Sequence, residues 1–355
     1  MKVRSIGIAA ALTAVLGSAA CGGRQQDARG ADGDEFGTPT GPTLFDYHET
    51  PGPTPPDPSN PMPPPPPGPE PSPYIWMPEG QRLDNAAAGF GGVLADSSTV
   101  QLTDGRWRMF LYAGGQYRSA VSQDGLSFAM DPGTRLPEGF GHVRVLRLPG
   151  GRIRAFSSTN DGIVSHVSGD EGITFTREAG VRLSSSTIGF TPSGLSNVVR
   201  TREGMWRAYF SDLPRPGEGV LPHKILSATS ADLLTWILDP GVRIGLGATL
   251  DGNGEHPAAI ANPDGSVSLF YFRNVNFKML MASASDGLTF TAEFDSGITN
   301  ANDPDLIPLA DGSVRMYYNW GNDAGGEISS ALYVGTPFGA SARPPILSEI
   351  LPSLR

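Results

Sequence analysis

The sequence predicts an all-β fold, a five-bladed β-propeller whose last blade is closed by an N-terminal strand, preceded by a signal peptide and a disordered proline-rich linker. Three observations lead to this prediction. A hairpin motif recurs five times, a second turn motif follows four of those hairpins, and one outer-strand motif stands alone near residue 76. We expect the propeller to occupy residues 74–355.

The first motif is a turn followed by glycine, any residue, an apolar residue and usually arginine, as in DGRWRMFLY and DGSVRMYYN. Its five copies begin at Asp104, Gly150, Glu203, Asp264 and Asp311. The copies are 46, 53, 61 and 47 residues apart, and an apolar residue stands four positions before each turn. An Asp-Gly turn between two β-rich runs is typical of a hairpin. Hairpins repeated about every 50 residues indicate the blades of a propeller.

The second motif, SQDGLSF and its variants, supplies another turn and the start of an outer strand. Its copies begin at Ser122, Ser168, Ser230 and Ala284. The fifth repeat never produces such an outer strand, but WMPEGQRL, from Trp76 to Leu83, has the missing pattern. Because an open ring exposes sheet edges that invite aggregation, we predict that this N-terminal strand completes the fifth blade.

Residues 1–20 are predicted to be a lipoprotein signal peptide. Two basic residues precede an uncharged apolar run, residues 6–16, which is too short to cross a bilayer. Small residues then lead to Cys21, the only cysteine, at the place where a bacterial lipoprotein is cleaved and acylated. The stretch resembles a lipobox, although Ser18 stands where leucine is more usual. The alternative is an ordinary secreted protein that is cut just before the cysteine.

Residues 21–73 comprise this lipidated cysteine and a linker, with runs such as PTPPDPSNPMPPPPPGPEPSP. Proline lacks a backbone donor and fixes φ, so we expect a disordered, partly polyproline-II spacer. At ~3.1 Å per residue, the spacer can hold the propeller on the order of 100 Å from its anchor. Gly22 carries no aspartate-type retention signal. We therefore expect an extracytoplasmic protein, anchored to the outer membrane or cell surface of a bacterium.

The charge of the chain limits its partners. The 26 basic residues less Lys2 and Arg4 leave 24 against 36 acidic residues, a net charge of −12 for the mature chain. An acidic surface without a basic patch argues against nucleic acid and against anionic lipid headgroups. The lipid anchor would then be the only membrane contact, and we expect a monomer.

One ring of polar residues is the best candidate for a functional site. The innermost strands of a propeller line its central channel, so equivalent positions in each blade can be compared. Eight residues before the five turns stand Asp96, His142, Leu195, His256 and Asp303. Close to them stand Arg144, Asn197, Glu255, Asn302 and Asp305. A buried charge is unfavourable without a partner, so charged residues gathered in a mostly apolar ring indicate a functional site. Alternatively, these residues cap turns or bond neighbouring blades.

Five blades with stretches such as NDPDLIPLADGSVRMYY and SADLLTW resemble the propeller glycoside hydrolases of the arabinanase, β-xylosidase and invertase superfamily, over residues 76–340. SGDEGITF is also similar to the Asp box of sialidases, which have six blades, and we expect it to be a structural turn. The resemblance implies a glycan substrate and three carboxylates on the first three blades: a base or nucleophile, a pKa-modulating aspartate and a general acid. Asp96 matches the first, but His142 and Leu195 stand at the other two positions.

Glu255-His256-Pro257 resembles the Glu-x-Pro of the family's acid, although it falls on blade 4. Blades 4, 5 and 1 are contiguous, so the resemblance gives an alternative catalytic set of Glu255 as acid with Asp303 and Asp96 as base or modulator. The candidate substrate-binding residues are His142, His256, Arg144, Asn302, Asp305 and Trp320. Aromatic residues that end second strands can stack on sugars or pack between blades; these are Tyr112, Tyr271, Tyr318 and Trp320.

Two histidines and two aspartates at one level also suit zinc, manganese or iron. His142 and His256 are therefore candidate ligands of a divalent ion in the central channel, where members of the resembled superfamily can carry an ion. Three functions remain open. They are a cell-surface, glycan-directed protein of the glycoside-hydrolase type, a non-catalytic propeller that binds a glycan or a protein, and a metal-dependent hydrolase or lyase.

Overall fold

The structure, a computed structural model, describes residues 76–212, 223–273, 278–320 and 326–333. The predicted signal peptide, Cys21 and the linker lie outside these residues and stay predictions. Within the described ranges, 22 strands form five antiparallel sheets, which confirms the five-bladed propeller. Two short helices, α1 (Asn85–Ala88) and α2 (Ser185–Ile188), and a 3-10 turn at Pro149–Gly151 are also described. No helix in these ranges has the length and apolar character that crossing a membrane requires.

The described chain enters the ring with β1 (Trp76–Asp84) and then builds the blades from the inner strand outwards. Blade 1 contains β2 (Leu94–Gln101), β3 (Trp107–Ala113), β4 (Gln116–Ser122) and β5 (Phe128–Met130). Blade 2 contains β6 (Phe140–Arg147), β7 (Ile153–Thr159), β8 (Gly162–Ser168) and two short strands that both pair with β8, β9 (Thr176–Arg177) and β10 (Leu183–Ser184).

In blade 3 the inner strand is interrupted into two pieces that both pair with the second strand. Its strands are β11 (Pro192–Leu195), β12 (Val199–Arg200), β13 (Trp206–Asp212), β14 (Ile225–Ser230) and β15 (Trp236–Leu238). Blade 4 contains β16 (Glu255–Ala261), β17 (Val267–Arg273), β18 (Lys278–Ala284) and β19 (Ala292–Thr299). Blade 5 contains β20 (Ala301–Pro308), β21 (Val314–Trp320) and β22 (Glu327–Tyr333), with β1 as its outer strand.

The N-terminal strand closes the ring as predicted. β1 pairs antiparallel with β22, with Trp76 opposite Tyr333 and Leu83 opposite Ile328. Leu83 is buried in a core shared between blades 5 and 1. The first and last described strands thus share one sheet, and blade 5 has no exposed third strand edge.

A buried arginine on the second strand of four blades is neutralised by an acid that lies on the outer strand or directly after it, and this acid also accepts a hydrogen bond from a serine on the third strand. The sets are Arg108, Asp131 and Ser119; Arg154, Glu178 and Ser165; Arg207, Asp239 and Ser227; and Arg315, Glu79 and Ser330. In blade 5 the acid, Glu79, comes from the opposite end of the described chain. The repeated arginine of the hairpin motif therefore has a structural explanation, because a buried charge needs a partner.

The repeated Asp turns are structural, as predicted. The Asp124 carboxylate accepts hydrogen bonds from the backbone N–H groups of Leu126 and Ser127, at 2.8 and 2.9 Å. These backbone bonds hold the pKa of Asp124 down at about 2. In blade 4 the equivalent turn places Gly287 at φ +65°, where its carbonyl accepts a hydrogen bond from the Tyr209 hydroxyl of blade 3 at 2.8 Å. The turns therefore also link neighbouring blades.

The predicted aromatic residues divide between the core and its edge. Tyr271 and Tyr318 are buried among apolar residues, so they contribute to the core rather than to a sugar-binding surface. Tyr112 is half-buried and lies edge-on to Tyr117. The side chain of Trp320 lies outside what the structure describes.

Candidate functional site

A break in strand pairing encloses four of the five predicted ring residues, and blade 3 has a break just before Leu195. The inner strands pair out of register with their neighbours between Ala95 and Ser98, Phe140 and Arg144, Pro192 and Gly194, Glu255 and Ala258, and Asn302 and Asp305. Within three of these bulges, Asp96, His256 and Asp303 have left-handed backbone, with φ of 58°, 51° and 52°. A bulge re-aims side chains that strict alternation would place elsewhere. Asp and His are among the residues that tolerate this backbone best.

Four of the five predicted ring residues converge on one point. One ligand atom from each of Asp96, His142, His256 and Asp303 lies within 4.8 Å of the other three. The Nε2 atom of His142 is 2.9 Å from Asp96 Oδ1, 2.9 Å from Asp303 Oδ1 and 3.1 Å from His256 Nδ1. His256 Nδ1 also contacts Asp303 Oδ1. Residues that the sequence places at one level of the ring therefore meet in space, and we call these four residues the axial cluster.

Two members of the axial cluster have a hydrogen-bond partner on their outer side, and a third faces a carboxylate there. The Nδ1 atom of His142 lies 3.1 Å from the carbonyl oxygen of Leu195. Asp303 Oδ2 accepts a hydrogen bond from Asn319 Nδ2 at 2.9 Å. His256 Nε2 is 4.0 Å from Glu255 Oε2. Each of these side chains thus faces the cluster with one atom and a group of its own or a neighbouring blade with the other.

Leu195, the apolar member of the predicted ring, contributes only its backbone. Its side chain packs in the core between blades 2 and 3, while its carbonyl oxygen accepts from Arg144 Nε and lies 3.1 Å from His142 Nδ1. Arg144 is 1% exposed and also donates to the carbonyl oxygens of Ser97 and Pro304. Arg144 therefore ties blades 1, 3 and 5 together through backbone acceptors, which is a structural role rather than the predicted contact with substrate.

Asn302 and Asp305, also predicted to bind substrate, are buried, at 3% and 2% exposure. Burial raises the pKa of Asp305 to about 6, against the opposing charge of Arg144. Asn197 bonds the backbone of Ala259 in the next blade through both its oxygen and its nitrogen, at 2.8 and 2.6 Å. Asn197 therefore links neighbouring blades, the alternative that the sequence left open, whereas the substrate-binding role of Asn302 and Asp305 stays a prediction.

The contacts within the axial cluster shift the pKa values of Asp303 and His256 in opposite directions. Burial alone would raise the pKa of Asp303, but the charge of His256 and the hydrogen bonds of both histidines hold it well below its usual range. Burial alone would lower the pKa of His256, but Asp303 raises it to about 10. His142 and Asp303 are almost fully buried, whereas the His256 side chain is 27% and the Asp96 side chain 14% exposed. The cluster is thus accessible from the side of His256 and Asp96.

Glu255, the predicted acid, lies beside the cluster rather than in it. Its Oε1 atom accepts a hydrogen bond from Asn253 Nδ2 at 3.0 Å and lies 3.6 Å from Nε2 of His223. The Nδ1 atom of His223 is 3.0 Å from Asp212 Oδ1. Sequence reasoning missed both residues because Asp212 ends the second strand of blade 3 and His223 lies between the second and third strands, outside the ring register. The scarcity of histidine was the one available signal, since the chain has only five.

No family profile and no curated protein sequence matches this chain. Solved structures do match. A thermostable family-43 glycoside hydrolase is 14% identical, with a TM-score of 0.52 over 73% of this chain and 98% of that one.

A GH130 structure is 14% identical, with a TM-score of 0.53 over 75% of this chain and 93% of that one. It is described as belonging to the family of mannoside phosphorylases that contains glycoside hydrolases targeting β-1,2 mannosidic linkages in Candida mannan. A putative glycoside hydrolase from Parabacteroides distasonis is 13% identical, with a TM-score of 0.51 over 70% and 88%. These likenesses confirm that the fold is that of five-bladed propeller glycoside hydrolases.

Proposed function

We propose that this chain is a metal-dependent protein that acts on glycans outside the cytoplasm, as a hydrolase or lyase, and that the axial cluster holds its divalent ion. The observation that carries the proposal is the convergence of two imidazoles and two carboxylates within 4.8 Å. Mixed nitrogen and oxygen ligands suit zinc, manganese or iron, whereas calcium and magnesium prefer oxygen alone.

The charges of the axial cluster fit a divalent cation. Two ionised carboxylates and two neutral imidazoles carry a charge of −2, and both carboxylates point at the same nitrogen of His142. An ion at that point would balance the charge and replace the proton that His256 shares with Asp303. Bringing two carboxylates together without such a partner is unfavourable.

The second contacts of the ligands also fit metal binding. A metal-bound histidine almost always donates its other N–H to a carbonyl, a carboxylate or a water. His142 Nδ1 has the Leu195 carbonyl for this purpose at 3.1 Å. The same nitrogen is 3.0 Å from Arg144 Nη2, so the contacts also fit the other tautomer, in which Nδ1 accepts and Nε2–H donates to a carboxylate. Ion binding would then select the tautomer that is protonated at Nδ1.

The accessible side of the cluster is where substrate would approach. A bound divalent ion can polarise a substrate oxygen or lower the pKa of a bound water. His142 and Asp303, which are buried, would fix the ligand geometry, while Asp96 and His256 line the accessible side. Glu255 lies next to His256 on blade 4.

Glycan as the substrate class rests on the fold. The family-43 and GH130 structures that share the five-bladed architecture are described as glycoside hydrolases or as members of a family that contains them. The predicted lipid anchor at Cys21 and the proline-rich spacer suit a protein that reaches polysaccharide at a bacterial surface.

A second candidate is a metal-free glycosidase with Glu255 as acid and Asp303 or Asp96 as base. It is favoured by the distance between Asp96 and Asp303, whose ligand oxygens lie within 4.8 Å, close to the ~5 Å separation of retaining glycosidase carboxylates. Against it, both carboxylates are hydrogen-bonded to His142, and Asp303 is almost fully buried. A catalytic base needs access to its substrate.

The deciding experiment measures metal binding and turnover together. Purified protein stripped with a chelator should bind one Zn²⁺, Mn²⁺ or Fe²⁺ per chain by titration calorimetry, and calcium far more weakly. His142→Ala and Asp303→Asn should abolish binding, while His166→Gln, a buried histidine of blade 2 outside the cluster, should not. Absence of binding would refute the metal site.

A panel of glycans and chromogenic glycosides then identifies the reaction. Turnover that a chelator abolishes and the metal restores supports the proposal. Turnover that resists chelation but is lost in Glu255→Gln supports the second candidate, because glutamine keeps the shape and loses the proton. Glycan binding without turnover would identify a non-catalytic binding propeller.

A further inference from the structure

Glu255 lies between two imidazoles that belong to different blades. One carboxylate oxygen, Oε2, is 4.0 Å from Nε2 of His256, and the other, Oε1, is 3.6 Å from Nε2 of His223. Asn253 Nδ2 donates to Oε1 at 3.0 Å, and the Glu255 side chain is only 10% exposed. The carboxylate is therefore held from one side and faces a member of the axial cluster on the other.

His223 is itself held by two contacts, and a third holds its partner Asp212. It is 2% exposed, and its Nδ1 lies 3.0 Å from Oδ1 of Asp212, the last residue of β13. Its backbone N–H donates to the side-chain oxygen of Asn253, and the N–H of Lys224 donates to Asp212 at 3.3 Å. Blade 3 thus presents a rigid imidazole to the first residue of the inner strand of blade 4.

His256 needs such support more than His142 does. His142 is 1% exposed and has a carbonyl partner from the next blade, whereas the His256 side chain is 27% exposed. His256 also has left-handed backbone, at φ 51°. A metal-bound histidine is oriented by the group that receives its other N–H, and a carboxylate in that place also raises its basicity. Glu255 is the carboxylate that faces Nε2, which leaves Nδ1 for the cluster.

We infer that Glu255 is a positioning residue for His256 as a metal ligand, and that His223 and Asp212 act through Glu255 by fixing its carboxylate. The inference rests on the proposed metal site. It gives Glu255 a role other than the acid that the sequence predicted, and it makes the contact between blades 3 and 4 part of the site.

Metal affinity tests this inference without any substrate. Zn²⁺ affinity is measured by competition with a chromophoric chelator, and Co²⁺ absorption reports the ligand geometry. Glu255→Gln should weaken Zn²⁺ binding by about 10- to 100-fold and shift the Co²⁺ bands, the range typical of lost outer-shell partners. Glu138→Gln removes a carboxylate that pairs with a histidine away from the cluster, so it serves as the control and should change neither quantity.

A double variant tests the order of action. His223→Gln should also weaken Zn²⁺ binding, and it should have no further effect once Glu255→Gln is present, because its effect passes through Glu255. Circular dichroism checks the fold of each variant. Asp212→Asn, which removes only the partner of His223, replaces His223→Gln if that variant does not fold.

The outcomes separate this inference from the proposed function. A wild-type protein that binds no divalent ion overturns both. A wild-type protein that loses its ion in His256→Ala but keeps full affinity in Glu255→Gln overturns only the inference. Additive losses in Glu255→Gln and His223→Gln would overturn the claim that His223 acts through Glu255.

Discussion

Glu79 forms the ion pair that links the N-terminal strand to the last blade, and its substitution tests how the ring is closed. Its carboxylate accepts from Arg315 Nε and Nη2 at 2.8 and 2.9 Å, and from Ser330 Oγ at 2.7 Å. Glu79→Gln keeps the size of the side chain but removes its charge. Arg315, which is 9% exposed, then becomes a buried cation without a counter-charge.

The expected loss follows from the burial of the pair. Removing one partner of a buried ion pair costs about 3–5 kcal/mol, because the remaining charge stays desolvated. Glu79 is 17% exposed, so water reaches the site and the lower end, about 3 kcal/mol of unfolding free energy, is expected. Adding Arg315→Met removes the stranded charge, so the double variant should be more stable than Glu79→Gln alone by at least about 1 kcal/mol.

Urea unfolding followed by tryptophan fluorescence measures these differences by linear extrapolation. The matched control is Glu178→Gln in blade 2, where Arg154 and Ser165 bond the acid in the same way within one blade. Both single variants should lose a similar amount. A loss below about 1 kcal/mol for Glu79→Gln, with the full loss for Glu178→Gln, would show that the closing pair does not stabilise the ring.

Three further predictions concern the turns, pH and the anchor. Gly287 has left-handed backbone, and Gly287→Ala would place a Cβ atom 3.0 Å from the Tyr209 hydroxyl. This variant should therefore lower the unfolding free energy by about 1–3 kcal/mol, and an unchanged melting temperature would contradict the prediction. Burial lowers the pKa of His223, but the hydrogen bond with Asp212 raises it, and the net result is a rise. Protonated His223 therefore stabilises the fold fully below the unfolded pKa of about 6.5, and this contribution to the unfolding free energy is lost as pH rises through the folded pKa. Asp212→Asn should flatten that pH dependence in denaturation curves, and an unaltered profile would exclude His223 as its source. Cys21→Ser should abolish lipid labelling and release the protein from membranes, whereas unchanged membrane partition would place the anchor elsewhere.

The blades could be predicted because their turns carry local chemistry that is visible in sequence. Glycine at φ near +85° recurs in the hairpins at Gly105, Gly204, Gly265 and Gly312. A turn fixes the register of the strand before it, so counting back from each turn located the axial cluster. The closing strand was predictable because the fifth repeat lacks an outer-strand motif and an unpaired copy of that motif stands near residue 76.

The chemistry around the cluster was not predictable from that register. The bulges that turn Asp96 and Asp303 towards the axis depend on how two strands pair, which no single strand encodes. The burial of Arg144 depends on three carbonyl groups from other blades. His223 lies near Glu255 only because blades 3 and 4 are neighbours in space, so a comparison of equivalent positions along the blades could not identify His223.

Three residues of the axial cluster stand where the backbone suits glycine better than any side chain. Asp96, His256 and Asp303 hold φ values of 51–58°, a conformation that costs a non-glycine residue on the order of 1 kcal/mol. Glycine at any of the three positions would remove this cost but would also remove a partner of Nε2 of the buried His142. A gain in backbone freedom at the axis would therefore be offset by lost contacts, so screens for thermal tolerance on this scaffold need a metal-binding readout beside the melting temperature.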